Sequence, residues 1–161
     1  MSIILFSRPI HSGKTTALLQ WCDHQKNVQG ILMPDVNGRR KILDIRTKEI
    51  FDIQCTDPVN TRETLTAVGK FHFYTSAFEK ANLILINAMQ HDPALLIIDE
   101  AGKLELDGKG FYNALERIIP FYDRKGRGRL LITVRDYLCE EVIRFFNMQH
   151  YTLVHETGDI D

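Results

Sequence analysis

Ten residues near the chain start, "SRPIHSGKTT" (Ser7–Thr16), carry the chemistry of a phosphate cradle. The phosphate-binding loop pattern is Gly, four residues, then Gly-Lys-Ser/Thr. Its second half is intact here as Ser12, Gly13, Lys14, Thr15 and Thr16. The backbone N–H groups of this stretch would point around the phosphates, reinforced by the positive end of a helix that starts at Lys14. Lys14 would bridge the β- and γ-phosphates of a nucleoside triphosphate as a point charge, and the Thr15 hydroxyl would be a Mg2+ ligand. His11, inside the loop, is a further candidate for nucleotide contact. The first half of the loop departs from the pattern. Counting back from Gly13 puts Arg8 where the first glycine normally permits a positive φ, which arginine tolerates poorly. A second alignment opens the loop at "SRP" and makes it one residue longer. Arg8 is left with two readings, a charge directed at the phosphates or a solvated side chain.

A second constellation lies at "LLIIDE" (Leu95–Glu100). A buried strand ending in two adjacent acids is costly unless those acids face a cleft at the strand's carboxyl end. Asp99 would hold Mg2+ there through water, and Glu100 would orient or deprotonate an attacking water. Alone, "IIDE" has a second reading as a helix cap or surface turn. Together with an amino-terminal "GKT" the two motifs support each other. "DRKGRGR" (Asp123–Arg129) sets four basic residues in a glycine-broken loop. It is either a solvated charge run or a mobile lid that carries Arg124 or Arg127 to the γ-phosphate as an arginine finger. Lys103 is a second candidate for that charge. The six histidines show no metal-ligand spacing.

The elements that must position these groups alternate in type. "SIILFS" is a short apolar run of the kind buried on both faces, and Ala17, Leu18, Trp21 and Cys22 give residues 14–26 one apolar helical face. "VQGILMPDV" reads as a second strand closed by Pro34. Between Arg39 and Cys55 the period becomes two, which predicts a hairpin wet on one face. Ser76 and Glu79 form an S-x-x-E capping box that opens a helix through Gln90. Then follow a strand at Ala94–Glu100, a helix "GFYNALERII" stopped by Pro120, and a strand "RLLITV". A helix over 136–148 capped by Asp136 and a final strand "YTLVH" complete the chain. Alternating β and α units predict an α/β fold in three layers: a mostly parallel sheet with helices on both faces and an added antiparallel β-hairpin. No linker or repeat interrupts it, so residues 1–161 read as one nucleotide-binding domain.

Composition bounds the partners. The chain has 161 residues, 44% hydrophobic and 25% charged, with a formal net charge of −1. That balance provides no basic field for gripping nucleic acid or anionic lipid. No run reaches the ~18 apolar residues of a membrane span, and the chain start lacks the basic region of a signal peptide. Cys22, Cys55 and Cys139 are odd in number and lack C-x-x-C spacing, so they read as small buried hydrophobes in a reducing cytosol. A cytoplasmic protein, monomeric or weakly oligomeric, with neither nucleic acid nor membrane as partner, is expected.

In order along the chain, "SRPIHSGKTT", "AFEKANLILINAM", "LLIIDEAGKLELDGKGFYNAL" and "RLLITVRD" resemble the small P-loop nucleoside-triphosphatase family, that of the cancer-related nucleoside triphosphatase and its archaeal and bacterial homologues. The likeness covers most of the chain, and "DEAGKLEL" is its most specific element. The resemblance implies a Rossmann-like P-loop fold and slow Mg2+-dependent hydrolysis of ATP, GTP and other nucleoside triphosphates. Lys14, Thr15, Asp99 and Glu100 fall on matching positions. The missing first glycine and Ala101, where an aliphatic residue is usual, are departures. Two other functions compete: a P-loop kinase acting on a small acceptor such as a nucleoside, and a nucleotide-binding switch with little turnover. Glu100 beside Asp99 favours water as the acceptor.

Overall fold

A computed structural model describes residues 2–9, 12–124 and 127–161. Its strands are β1 (Ile3–Arg8), β2 (Val28–Leu32), β3 (Asp35–Val36), β4 (Arg39–Asp44), β5 (Ile50–Asp52), β6 (Gln54–Cys55), β7 (Leu65–Val68), β8 (Phe71–Tyr74), β9 (Leu95–Ala101), β10 (Arg129–Arg135) and β11 (Tyr151–Val154). Its α-helices are α1 (Lys14–Cys22), α2 (Thr75–Gln90), α3 (Lys103–Leu106), α4 (Tyr112–Arg124) and α5 (Cys139–Phe145). The main sheet runs β11-β1-β10-β9-β2-β4-β3, with β5 also on β4. The first five of these strands are parallel, and β4 joins β2 antiparallel. A separate antiparallel sheet has the order β6-β8-β7.

The continuous apolar runs explain the central strands. Alternate residues of a strand point to opposite faces, so a strand buried on both sides needs both sets apolar. Ile3, Leu5, Leu96, Ile98, Leu130 and Ile132 pack in one core with α2, α4 and α5. Ile4, Phe6, Leu95, Ile97 and Leu131 pack in a second core with Leu18 of α1. The result is three layers. At Gly30 the sheet leaves no room for a side chain: a Cβ there would sit 2.0 Å from the Ile97 carbonyl oxygen.

Several sequence expectations are corrected. α1 ends at Cys22, not near Lys26. The Ser76–Glu79 capping box does not form. α2 begins at Thr75, directly after β8, and has no side-chain cap. The residue just before β7 serves instead: the Thr75 N–H donates to the Thr64 carbonyl at 3.1 Å. Pro120 does not stop α4 but lies inside it. Proline removes the hydrogen bond to the carbonyl four residues earlier. That residue is Glu116, on the exposed side of the helix, where water can replace the bond. Asp136 opens a 3-10 turn (Asp136–Leu138) before α5 and does not cap the helix. Its carboxylate accepts the Tyr137 N–H at 2.8 Å. The hairpin forms from β4 and β5, but Gln54 and Cys55 leave it to pair with β8 in the second sheet. Among the described residues no helix is long and apolar enough to cross a membrane.

Candidate functional site

The carboxyl ends of β1, β9, β10 and β2 meet on one edge of the main sheet, as their parallel pairing requires. A cavity of about 330 Å³ opens there, lined by residues 12–16, Met33, Pro34, Asp35, Arg40, Glu100 and Arg135 among others. Gly13 precedes α1 with a φ of 78°, the left-handed region that favours glycine. Lys14 follows, only 7% exposed. Its Nζ reaches two neutral acceptors, the carbonyls of Arg8 and Pro9, each at 3.4 Å. It forms no ion pair among the described residues, and the Glu100 charge reaches it only from beyond ion-pair distance, so the cavity wall holds a buried cation with no anion in contact.

Asp99, 1% exposed at the end of β9, is the most completely bonded acid of the site. Its Oδ2 accepts the Thr15 hydroxyl at 2.7 Å and the Met33 backbone N–H at 2.9 Å. Its Oδ1 accepts the Thr133 hydroxyl at 2.6 Å. Three donors, from α1, from the residue after β2 and from β10, thus converge on one carboxylate of β9, and two hard oxygen donors, Thr15 and Asp99, stand side by side. Glu100 turns from the same strand end toward the cavity. Its Oε1 pairs with Arg135 Nε at 3.1 Å. Burial pushes the Glu100 carboxyl above the ordinary glutamate range, and the Asp99 charge acts in the same direction. The cations of Arg135, Lys14 and Arg40 pull it back only in part.

The sequence candidates divide on this geometry. Ser12, Gly13, Lys14, Thr15, Thr16, Asp99 and Glu100 come together. His11 lies outside the described residues. Arg8 occupies the last position of β1 in extended conformation, paired in register with Arg135. Its guanidinium turns away from the cavity to the His155 carbonyl and the Glu156 carboxylate. Arg124 and Arg127 are not brought to the site. They flank the start of β10, at the opposite edge of the sheet, about 20 Å along a strand of this length. Arg124 there donates to the Pro120 carbonyl, and Arg127 faces Asp92 at 3.7 Å.

Sequence reasoning missed Thr133, Arg135, Arg40 and Glu105. Arg135 ends a buried strand with a charge, which is the same signal that singled out Asp99. Thr133 is a lone hydroxyl inside the apolar run of β10. Glu105, within "DEAGKLEL", is 4% exposed, and its carboxylate accepts the Gly102 and Phe111 N–H groups at 2.8 and 2.9 Å. Burial drives its pKa up to about 7 against those two bonds. It ties Gly102 to Phe111 in the segment that follows the two site acids along the chain. No group of three or more His, Cys, Asp or Glu side chains able to hold a metal occurs among the described residues. A metal at Thr15 and Asp99 would therefore take its remaining ligands from water and substrate.

A family described as NTPase matches residues 3–154. No curated protein matches the chain by sequence. The crystal structure of THEP1 from the hyperthermophile Aquifex aeolicus superposes with a TM-score of 0.72 at 20% identity, covering 99% of this chain and 91% of that one. The solution structure of a human cancer-related nucleoside triphosphatase superposes with a TM-score of 0.65, also at 20% identity, covering 99% and 90%. Both likenesses are of fold.

Proposed function

Because the chain belongs to the NTPase family, we propose that it is a Mg2+-dependent nucleoside triphosphatase that transfers the γ-phosphoryl group of ATP, GTP and other nucleoside triphosphates to water. The observation that carries this reading is Lys14: a buried ammonium with only carbonyls at 3.4 Å is an electrostatic vacancy shaped for phosphate oxygens. The description of the human neighbour as a nucleoside triphosphatase supports the substrate class.

The donor set fits Mg2+, which prefers hard oxygen ligands and keeps several waters: Thr15 Oγ1 and the Asp99 carboxylate are such oxygens, 2.7 Å apart. Mg2+ at this position would neutralise charge on the β- and γ-phosphate oxygens. The Met33 N–H and the Thr133 hydroxyl hold the Asp99 carboxylate in place. Lys14 binds the phosphate chain, and the backbone at Gly13 bends to let the first N–H groups of α1 face it. Glu100 accepts a proton from the water whose oxygen bonds to Pγ. The bond from Pγ to the bridging oxygen breaks, and its electron pair leaves with the nucleoside diphosphate. The raised basicity of a half-buried carboxylate suits it to that proton.

The test is phosphate release from ATP, GTP, CTP and UTP with and without Mg2+. Release only with Mg2+ and from several bases supports the reading. Tight binding without release would make the chain a nucleotide switch, and release of diphosphate that depends on an added hydroxyl acceptor would make it a kinase.

A further inference from the structure

Among the charges on this cavity, the Arg135–Glu100 pair stands where hydrolysis needs both partners free. Arg135 ends β10, between β1 with its phosphate loop and β9 with its two acids. Its side chain is 29% exposed and lines the same cavity as Lys14 and Thr15. The guanidinium is under-used. Its Nε binds Glu100, its Nη1 has a long 3.4 Å contact to the Tyr137 hydroxyl, and its Nη2 has no partner among the described residues. The other arginine of the cavity, Arg40, is already held by the Met33 carbonyl at 3.2 Å.

We propose that Arg135 contacts the γ-phosphate, exchanging Glu100 for it, so that the pair opens for a nucleoside triphosphate and stays closed for a diphosphate. This rests on the triphosphatase reading. A guanidinium fork matches phosphate bidentately, and a terminal phosphate carries more charge than a carboxylate, so the exchange runs toward the substrate. Nη2, and Nη1 once it gives up its long Tyr137 contact, are the nitrogens that make it as Nε leaves Glu100. The same movement releases the Glu100 carboxylate to accept a hydrogen bond from water. A diphosphate ends one phosphate short of Arg135 and leaves the pair intact. The positive charge sought in the 124–127 loop is thereby provided from a rigid strand end.

The test is calorimetric binding of ADP and of the non-hydrolysable β,γ-imido analogue of ATP, both with Mg2+, to the full chain. Arg135→Gln is expected to lower the preference for the analogue over ADP by at least ~10-fold, the worth of one of the two hydrogen bonds to a charged group. Arg135→Lys, which keeps the charge without the fork, is expected to retain part of that preference. Glu100→Gln, which frees Arg135 in advance, is expected to tighten the analogue and leave ADP unchanged, and the double variant to lose this gain. If Arg135→Gln does not fold by circular dichroism, Arg135→Met reads the same ratio. An unchanged ratio in a folded Arg135 variant overturns the contact while the native protein still releases phosphate. A native protein that neither binds nucleotide nor releases phosphate removes the hydrolysis reading itself.

Discussion

At Glu105, burial and hydrogen bonding pull in opposite directions, and burial wins: the pKa stands at about 7 against 4.5 for the free side chain. Below pH 4.5 the carboxyl is protonated in both states. Between there and about 7 the unfolded chain gives up the proton while the folded one keeps it. The unfolded state then binds fewer protons, so this residue makes stability fall as pH rises through the window. The full effect is on the order of 3 kcal/mol. Glu105→Gln removes the titration at the cost of one N–H acceptor. Urea unfolding of both proteins at pH 5 and pH 7.5 is expected to move the difference in favour of glutamine as pH rises; a difference that ignores pH would show that Glu105 does not titrate there. For Glu100, the expected signature of the glutamine variant is retained nucleotide binding with phosphate release at least ~10²-fold slower. Native-rate release would clear Glu100 of the role. Lys14, Thr15, Asp99 and Glu100 were legible because each motif is contiguous. Thr133, Arg135 and the Met33 N–H were not, since they reach Asp99 and Glu100 from other strands through a register that no local spacing encodes.

At the scale of elements, the strands buried on both faces were legible from their uninterrupted apolar runs, and the failures cluster at helix ends. A capping box at Ser76 and a stop at Pro120 are local signals, and the surroundings overrode both: the Thr64 carbonyl took the first donor of α2, and the carbonyl that Pro120 leaves without a donor belongs to the exposed Glu116. Asn82 shows the same principle at α4. This buried α2 side chain accepts the Ala114 N–H at 2.9 Å and so satisfies a donor that α4 leaves open. The loop after α4 carries the sharpest functional consequence. Arg124 and Arg127 lie by the amino end of β10, opposite the cavity. Arg124→Gln with Arg127→Gln is therefore expected to leave turnover within about twofold of native, because exposed charges ~20 Å away are screened by salt. A tenfold loss in a phosphate-release assay would return this loop to service as a lid.

For the whole molecule, binding and folding are one equilibrium. The groups around the cavity belong to elements far apart in sequence, from Gly13 to Arg135, and meet only when the parallel sheet is assembled. An unfolded chain has no such cradle, so nucleotide binds the native state alone and stabilises it by RT ln(1 + [L]/Kd). At a hundredfold excess over Kd that is about 2.7 kcal/mol. For a chain of this size the melting temperature should rise by roughly 5–10 °C. Lys14→Ala removes the buried charge that faces the phosphates. Truncating it also deletes an ammonium that has no anion in contact among the described residues, so the variant need not lose the fold. The expected result is a clear Mg2+-ATP shift for the native protein and none for Lys14→Ala, each compared with its own nucleotide-free baseline. Taking the difference within each protein removes any change in intrinsic stability that the substitution brings. Equal shifts in the two proteins would mean that nucleotide binds elsewhere, and the cavity at the carboxyl edge of the sheet would lose its assignment.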